Sequence, residues 1–238
     1  MLSFMISTTN SYSTLDDKKG FVVVELFTSE GCSSCPPADE LVNEMEAEAE
    51  RNGQEIFVIN FHVDYWNYLG WKDPFSAKEF TNRQYSYATY FGKGKIYTPQ
   101  IVVNGAKQFV GSNRTTLLAS LETELSHPNK SSINFSDVRK NSTTANIDYK
   151  LSSQSDATVL NYVLIEKDVI SNVLAGENRG EKLYHRSVVR KFDSTKNPSA
   201  EGHFEIEYNF TTKNKYTVIA YLQNIKDGRI IAATRYNL

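Results

Sequence analysis

The chain has 238 residues, 40% of them hydrophobic and 23% charged, which excludes wholesale disorder and supplies apolar side chains for one large core or two ordinary ones. A formal charge of -2 and a pI near 6.1 give no net positive field to hold a phosphate backbone or an anionic membrane surface, so nucleic acid is not an expected partner. No apolar run approaches the roughly 18 residues of a membrane helix, so a soluble mature protein with no membrane span is expected.

Residues 1–19 run from the Ser- and Thr-rich Met1–Ser13 into Asp16-Asp17-Lys18-Lys19 and read as a disordered tail or a signal-peptide remnant. Phe21–Thr28 (FVVVELFT) has the β-branched and aromatic character of a strand buried on both faces. From Pro37 the residues Ala38, Leu41, Val42, Met45 and Ala49 recur at helical spacing, with Asn52-Gly53 as a stop. Ile56–Val63 predicts a second buried strand, Asp64–Phe75 an aromatic loop, and Ser76–Phe91 a helix. Ile101–Val103 and Lys107–Val110 flank Asn104-Gly105, the signature of a tight hairpin, and Leu117, Leu118, Leu121 and Leu125 mark a last helix. Residues 20–127 therefore read as a small α/β unit.

After His127-Pro128 the pattern changes to period two, clearest in Ala145-Ile147-Tyr149-Leu151 and Phe204-Ile206-Tyr208-Phe210. Further strands are expected at 133–138, 158–168, 183–192, 215–224 and 229–236. About seven strands between polar turns suit a β-sandwich, here placed at 132–238 with the boundary near 127–132. The sequons at Asn129 and Asn209 matter only in a eukaryotic secretory pathway.

The chain has two cysteines, Cys32 and Cys35, and two placed at random in 238 residues would fall three apart roughly 1% of the time. A chain without stray thiols suits an oxidising compartment, where spare cysteines mispair. The pair sits where a strand passes into a helix, so Cys32 is expected at the helix N-terminus, reachable by solvent, with its thiolate favoured by unpaired N–H groups and the helix dipole. Cys35, one turn on, is expected to point inward and to resolve a mixed disulfide formed on Cys32. Pro36-Pro37 fits the first helical turn. Thr98-Pro99, between a helix and a hairpin, resembles the place where thioredoxin-like proteins carry a cis-proline facing the cysteines; the sequence leaves the isomer open, and if it is cis the Thr98 backbone can pair with an extended substrate.

Other readings of the pair remain open. Zinc wants about four ligands, and the sequence offers no second CxxC or HxxxH cluster, so no metal is assigned. A Cu(I) site of both thiolates with His62 is chemically sound, since soft sulfur suits that ion. A purely structural bridge would close a loop too short to stabilise much.

His62 and Asp64 share one face at the end of the second strand and are candidates for proton transfer, with Asp64 a possible helper base for Cys35. Tyr65, Trp66, Tyr68, Trp71 and Phe75 crowd one loop, which fits either a recognition lid, with Tyr65, Trp66 and Trp71 as substrate-binding residues, or an insertion packed on its own helix. Gly176–Gly180 (GENRG), followed by Tyr184-His185-Arg186, reads as a solvated turn in preference to a contact with the first half.

The segments ELFTSEGCSSCPPAD, FHVDYWNYLGWKDPF, YTPQIVVNG and GENRGEKLYHRSVVR, in this order, resemble a family of secreted bacterial thioredoxin-like proteins, domain of unknown function 1223. The resemblance spans nearly the whole chain. It implies a thioredoxin-like α/β domain followed by an all-β, immunoglobulin-like sandwich, a periplasmic or secreted location, and an active pair at Cys32 and Cys35. It supplies no substrate. The expected function is thiol–disulfide exchange with protein or small-molecule thiols and disulfides, without an organic cofactor; the alternatives are a Cu(I) carrier or a redox-inert interaction module.

Overall fold

In the computed structural model residues 20–92, 94–153, 157–211 and 213–238 are described; the tail or signal-peptide remnant expected at 1–19 lies outside them. Strand β1 (Val22–Thr28) is buried along its whole length, as a β-branched run pressed on both faces requires. Beside it in parallel lies β2 (Ile56–His62), with Val22 opposite Ile56 and Thr28 opposite His62. Between them α1 (Pro36–Arg51) opens on two prolines and lays Ala38, Leu41, Val42, Met45 and Ala49 on the sheet. On the other edge of β1, β3 (Gln100–Val103) runs antiparallel and turns into β4 (Lys107–Val110). Asn104 and Gly105 make that turn with φ of 46° and 63°, the left-handed region these two residues tolerate.

Helix α3 (Arg114–Leu125), capped by the Asn113 side chain on Thr116 N–H, joins α1 on one face, and α2 (Lys78–Tyr90) covers the opposite face through Phe80 and Tyr87. The strands expected after residue 130 all form: β5 (Ile133–Lys140), β6 (Thr144–Leu151), β7 (Thr158–Asn172), β8 (Lys182–Lys196), β9 (Glu201–Glu207), β10 (Lys215–Asn224) and β11 (Ile230–Asn237).

Their arrangement corrects the expected fold. No separate thioredoxin-like α/β domain is followed by an immunoglobulin-like sandwich; the protein is mostly β, and one mixed sheet of eight strands, in the order β11-β10-β7-β8-β2-β1-β3-β4, runs across the boundary placed near 127–132. The junction is β8 against β2, parallel, with Val188 opposite Asn60. An unpaired β2 edge would leave a row of backbone donors and acceptors open, and β8 pairs with that edge at Asn60. Among the described residues β5, β6 and β9 stand apart, as a three-stranded sheet.

Burial shows why. In β7 and β10 the runs Val163-Leu164-Ile165 and Val218–Leu222 are apolar at consecutive positions, which a one-sided sheet does not require. Leu160, Tyr162, Leu164, Val218, Ala220 and Leu222 face the three-stranded sheet, where strict alternation does hold at Ala145, Ile147, Tyr149 and Leu151. Val163, Ile165, Ile219 and Tyr221 face the other way and share a core with Phe27, Phe61, Phe80 and Tyr87 from the first half.

A buried polar network ties the halves in the same layer. Arg83 donates to Glu25 from Nε (3.0 Å) and to Gln223 from Nη1 (2.7 Å), while Tyr87 and Tyr221 also donate to the Glu25 carboxylate. Glu25 and Gln223 are almost fully buried, so each partner offsets the desolvation of another. Among the described residues no helix is long and apolar enough to cross a membrane.

Candidate functional site

The loop leaving β1 makes two tight turns, Cys32 N–H to Ser29 O (3.2 Å) and Cys35 N–H to Cys32 O (3.1 Å), which set both sulfurs at the start of α1. Cys35 is the residue before the first helical turn, and its carbonyl accepts from Ala38 N–H (2.8 Å) and Asp39 N–H (3.1 Å). Both thiols are free. Thr98-Pro99, whose isomer the sequence leaves open, is a cis peptide, and Thr98 lies at the pair: its hydroxyl donates to Cys32 Sγ at 3.3 Å, and Cys32 Sγ lies 4.0 Å from Thr98 O. Ser34 Oγ is a further 3.3 Å neighbour of the same sulfur.

These contacts separate the two thiols. The hydrogen bond from Cys35, against the opposing pull of burial and with help from Ser34 and Thr98, draws Cys32 down from 9.0 to about 6. Burial, the bond to Cys32, and the nearby charges of Cys32 and Asp39 push Cys35 far up. The carboxylate whose field Cys35 feels is therefore Asp39. Asp64 instead accepts from the Thr81 hydroxyl at 2.5 Å, in the first turns of α2.

The expected solvent access of Cys32 does not hold, because only 1% of the residue is exposed. The GENRG segment, expected to be a solvated turn, instead lies against the cysteine loop. Asn178 Nδ2 donates to Glu30 O (2.8 Å) and Cys32 O (3.0 Å), and Glu177 accepts from Ser33 N–H (2.9 Å), so the β7–β8 loop clamps the cysteine loop backbone. Trp66 closes another side, its indole N–H donating to Thr98 Oγ1 at 2.7 Å. Ser33 and Ser34 remain exposed.

Tyr65 and Trp66 are half-buried against the core shared with Phe61 and Phe80, and burial raises the Tyr65 phenol. Trp71 turns its N–H inward to Glu30 Oε2 (2.8 Å). Both indole N–H groups are thus committed to the protein, while Tyr68 is 78% exposed.

His62 is far more enclosed than a proton carrier at the sheet edge would be. Its Nδ1 lies 2.8 Å from Asp73 Oδ2, and Asp73 also accepts from the N–H groups of Glu30 and Phe75 (both 2.9 Å). Burial works against the Asp73 carboxylate, yet His62 and those donors hold it below the usual range. His185, from β8, stacks edge-on against His62 with ring centroids 4.8 Å apart. Its Nε2 is 3.1 Å from Glu30 Oε1 and its Nδ1 3.6 Å from Asp39 Oδ1. Burial opposes its charge, but Asp39 and Glu30 outweigh that and raise it to about 10. Thr28 donates to the other Asp39 oxygen at 2.7 Å.

Glu30, Asp39, Asp73 and His185 were not singled out for chemistry in the sequence. The signal available was weak: Asp39 follows the cysteines by one turn, and Tyr184-His185-Arg186 belongs to a motif with GENRG. Among the described residues, Asp39, His62 and His185 are the group of three metal-donor side chains that comes within reach, so His62 does not join the two sulfurs as a Cu(I) ligand set.

No curated protein matches the chain. The crystal structure of protein AGR_C_4864 from Agrobacterium tumefaciens is similar over 90% of this chain and 92% of that one, with a TM-score of 0.65 and 24% identity, a likeness that speaks to the fold. A β-glucosidase from Kluyveromyces marxianus overlaps 46% of this chain and 14% of its own at a TM-score of 0.22 and 11% identity, too little to carry an argument. A family model described as a protein of unknown function, DUF1223, matches residues 23–223, and by that match over most of its length the chain belongs to the DUF1223 family.

Proposed function

We propose that the protein carries out thiol–disulfide exchange through Cys32 and Cys35, outside the cytoplasm, on protein or small-molecule thiols and disulfides. The observation that carries this reading is the split between two adjacent thiols, one drawn down to about 6 and the other pushed up, with the Thr98 hydroxyl on the acidic one. In the reducing direction the Cys32 thiolate attacks one sulfur of a substrate disulfide, forming a mixed disulfide and expelling the first thiolate, which takes up a proton. Cys35 then gives up its proton and attacks Cys32 Sγ, releasing the second thiol; the protein ends as a Cys32–Cys35 disulfide, two electrons poorer. The reverse sequence oxidises a dithiol.

Burial of Cys32 adds a condition. Exchange requires the Glu177–Asn178 clamp to lift, because an attacking sulfur must align with the disulfide axis and the covered one has no such approach. The same burial favours a second reading, a redox-inert interaction module. Trapping separates the two: a Cys35→Ser variant incubated with a disulfide substrate should accumulate a mixed disulfide on Cys32, and an inert module forms none.

A further inference from the structure

Beneath the cysteine loop, five buried ionisable side chains meet: Glu30, Asp39, Asp73, His62 and His185, each no more than 5% exposed. They come from the β1–α1 loop, α1, the loop before α2, β2 and β8, so the cluster exists only because β8 closes against β2. Three carboxylates face two imidazoles, which leaves the group net negative even with both rings protonated. Most polar atoms in the cluster are satisfied. Three are not: His62 Nε2, His185 Nδ1 and Asp39 Oδ1 are buried without a hydrogen-bond partner, and the 3.6 Å between the last two is too long for one.

The satisfied atoms follow a pattern. Each of the three residues uses one polar atom on a supporting partner: His62 Nδ1 on Asp73, His185 Nε2 on Glu30, and Asp39 Oδ2 on Thr28. In a neutral imidazole, a ring nitrogen that donates to a carboxylate leaves the opposite nitrogen as a lone pair, the arrangement by which proteins orient metal-binding histidines; at His185 an incoming cation must displace the proton that Asp39 and Glu30 favour. One donor atom from each residue lies within 4.8 Å of the others. Metal bonds of about 2.0–2.2 Å place donors roughly 3.4 Å apart, so the widest gap must close by at most about 1.4 Å through side-chain rotation. A cleft of ≈ 480 Å³ between α1 and β8, lined by Ser29, Asn43 and Arg186, reaches Asp39 and His185 and supplies a path inward.

We propose that Asp39, His62 and His185 bind a divalent first-row transition-metal ion of zinc(II) type, with the remaining coordination positions facing the cleft. Two imidazoles and a carboxylate suit such an ion, which replaces buried unpaired atoms with bonds and offsets the carboxylate excess. The site is separate from the two sulfurs and does not depend on the exchange reaction.

Anaerobic titration of the reduced full-length chain with Co(II) tests it, alongside the Cys32→Ser/Cys35→Ser double variant. One equivalent should bind to both proteins with d–d absorption and no sulfur-to-cobalt charge-transfer band, and Zn(II) should displace it. Asp39→Asn should weaken binding by more than ~100-fold, and Asp73→Asn, which spares all three ligands, by ~10–100-fold. Failure of the unaltered chain to take up one equivalent overturns the proposal, as does a sulfur charge-transfer band lost in the double variant, or affinity unchanged in Asp39→Asn. The unaltered chain decides alone if a variant does not fold.

Discussion

The cysteine loop and the histidine–carboxylate cluster lie one above the other, yet they were built by opposite routes. Cys32, Cys35 and the start of α1 are set by a few consecutive residues and two short turns, and Thr98 reaches them from the bend just before β3. The cluster instead takes His62 from the end of β2 and His185 from β8, residues 123 positions apart in sequence numbering (185 - 62) and brought edge-to-face by strand pairing. The clamp from Glu177 and Asn178 belongs to the same long-range route. A locally built thiol pair therefore lies against parts of the chain that only the sheet brings near.

The severest way to break this comparison is to cut the chain. A fragment ending at residue 127 loses Val163, Ile165, Val189, Ile219 and Tyr221 from the core behind β1 and β2, and exposes the β2 edge. It is expected to show no cooperative thermal unfolding; a sharp transition would mean the halves fold separately. Next in size, Arg83→Leu leaves Glu25 buried without its cation and should cost about 3–5 kcal/mol in urea unfolding at pH 7, with a loss below 1 kcal/mol contradicting the tie between halves.

What was legible follows the same division. The three helices, the Asn104-Gly105 turn and every strand after residue 130 follow from periodicity and turn chemistry, because these features are written within ten or so residues. Their assembly was not. The apolar runs at 163–165 and 218–222 carry the sign of strands covered on both faces, whereas the sequence pattern assigns them to strands of a separate β-sandwich. Once β8 is placed away from β2, His185 has no route to His62, and GENRG has nothing to lie against. The exposure expected for Cys32 failed for that reason, while its neighbourhood to Thr98-Pro99 did not.

Smaller effects sharpen the contrast between the thiol and its cover. Asn178→Ala removes two hydrogen bonds worth about 1 kcal/mol each, and should raise the rate at which iodoacetamide alkylates Cys32 by up to ~30-fold if opening limits access. An unchanged rate would mean the loop is not the gate. The pH dependence has a definite sign: with Cys32 depressed to about 6, thiolate dominates at pH 7 and reactivity falls as pH drops through about 6, whereas an ordinary thiol near ~8.5 would lose reactivity two to three pH units higher. Alkylation of a Cys35→Ala variant, which has no donor at that position, should move that midpoint upward, since the Cys35 hydrogen bond is the largest cause of the depression.

The most direct test of the exchange chemistry is the reduction potential of the Cys32–Cys35 couple, measured by equilibrating the full chain in glutathione and dithiothreitol buffers. The account predicts a reversible two-electron transition at about -270 to -120 mV, the range of exchange catalysts. A bridge that stays closed until below about -300 mV, or two thiols that form none, would contradict it.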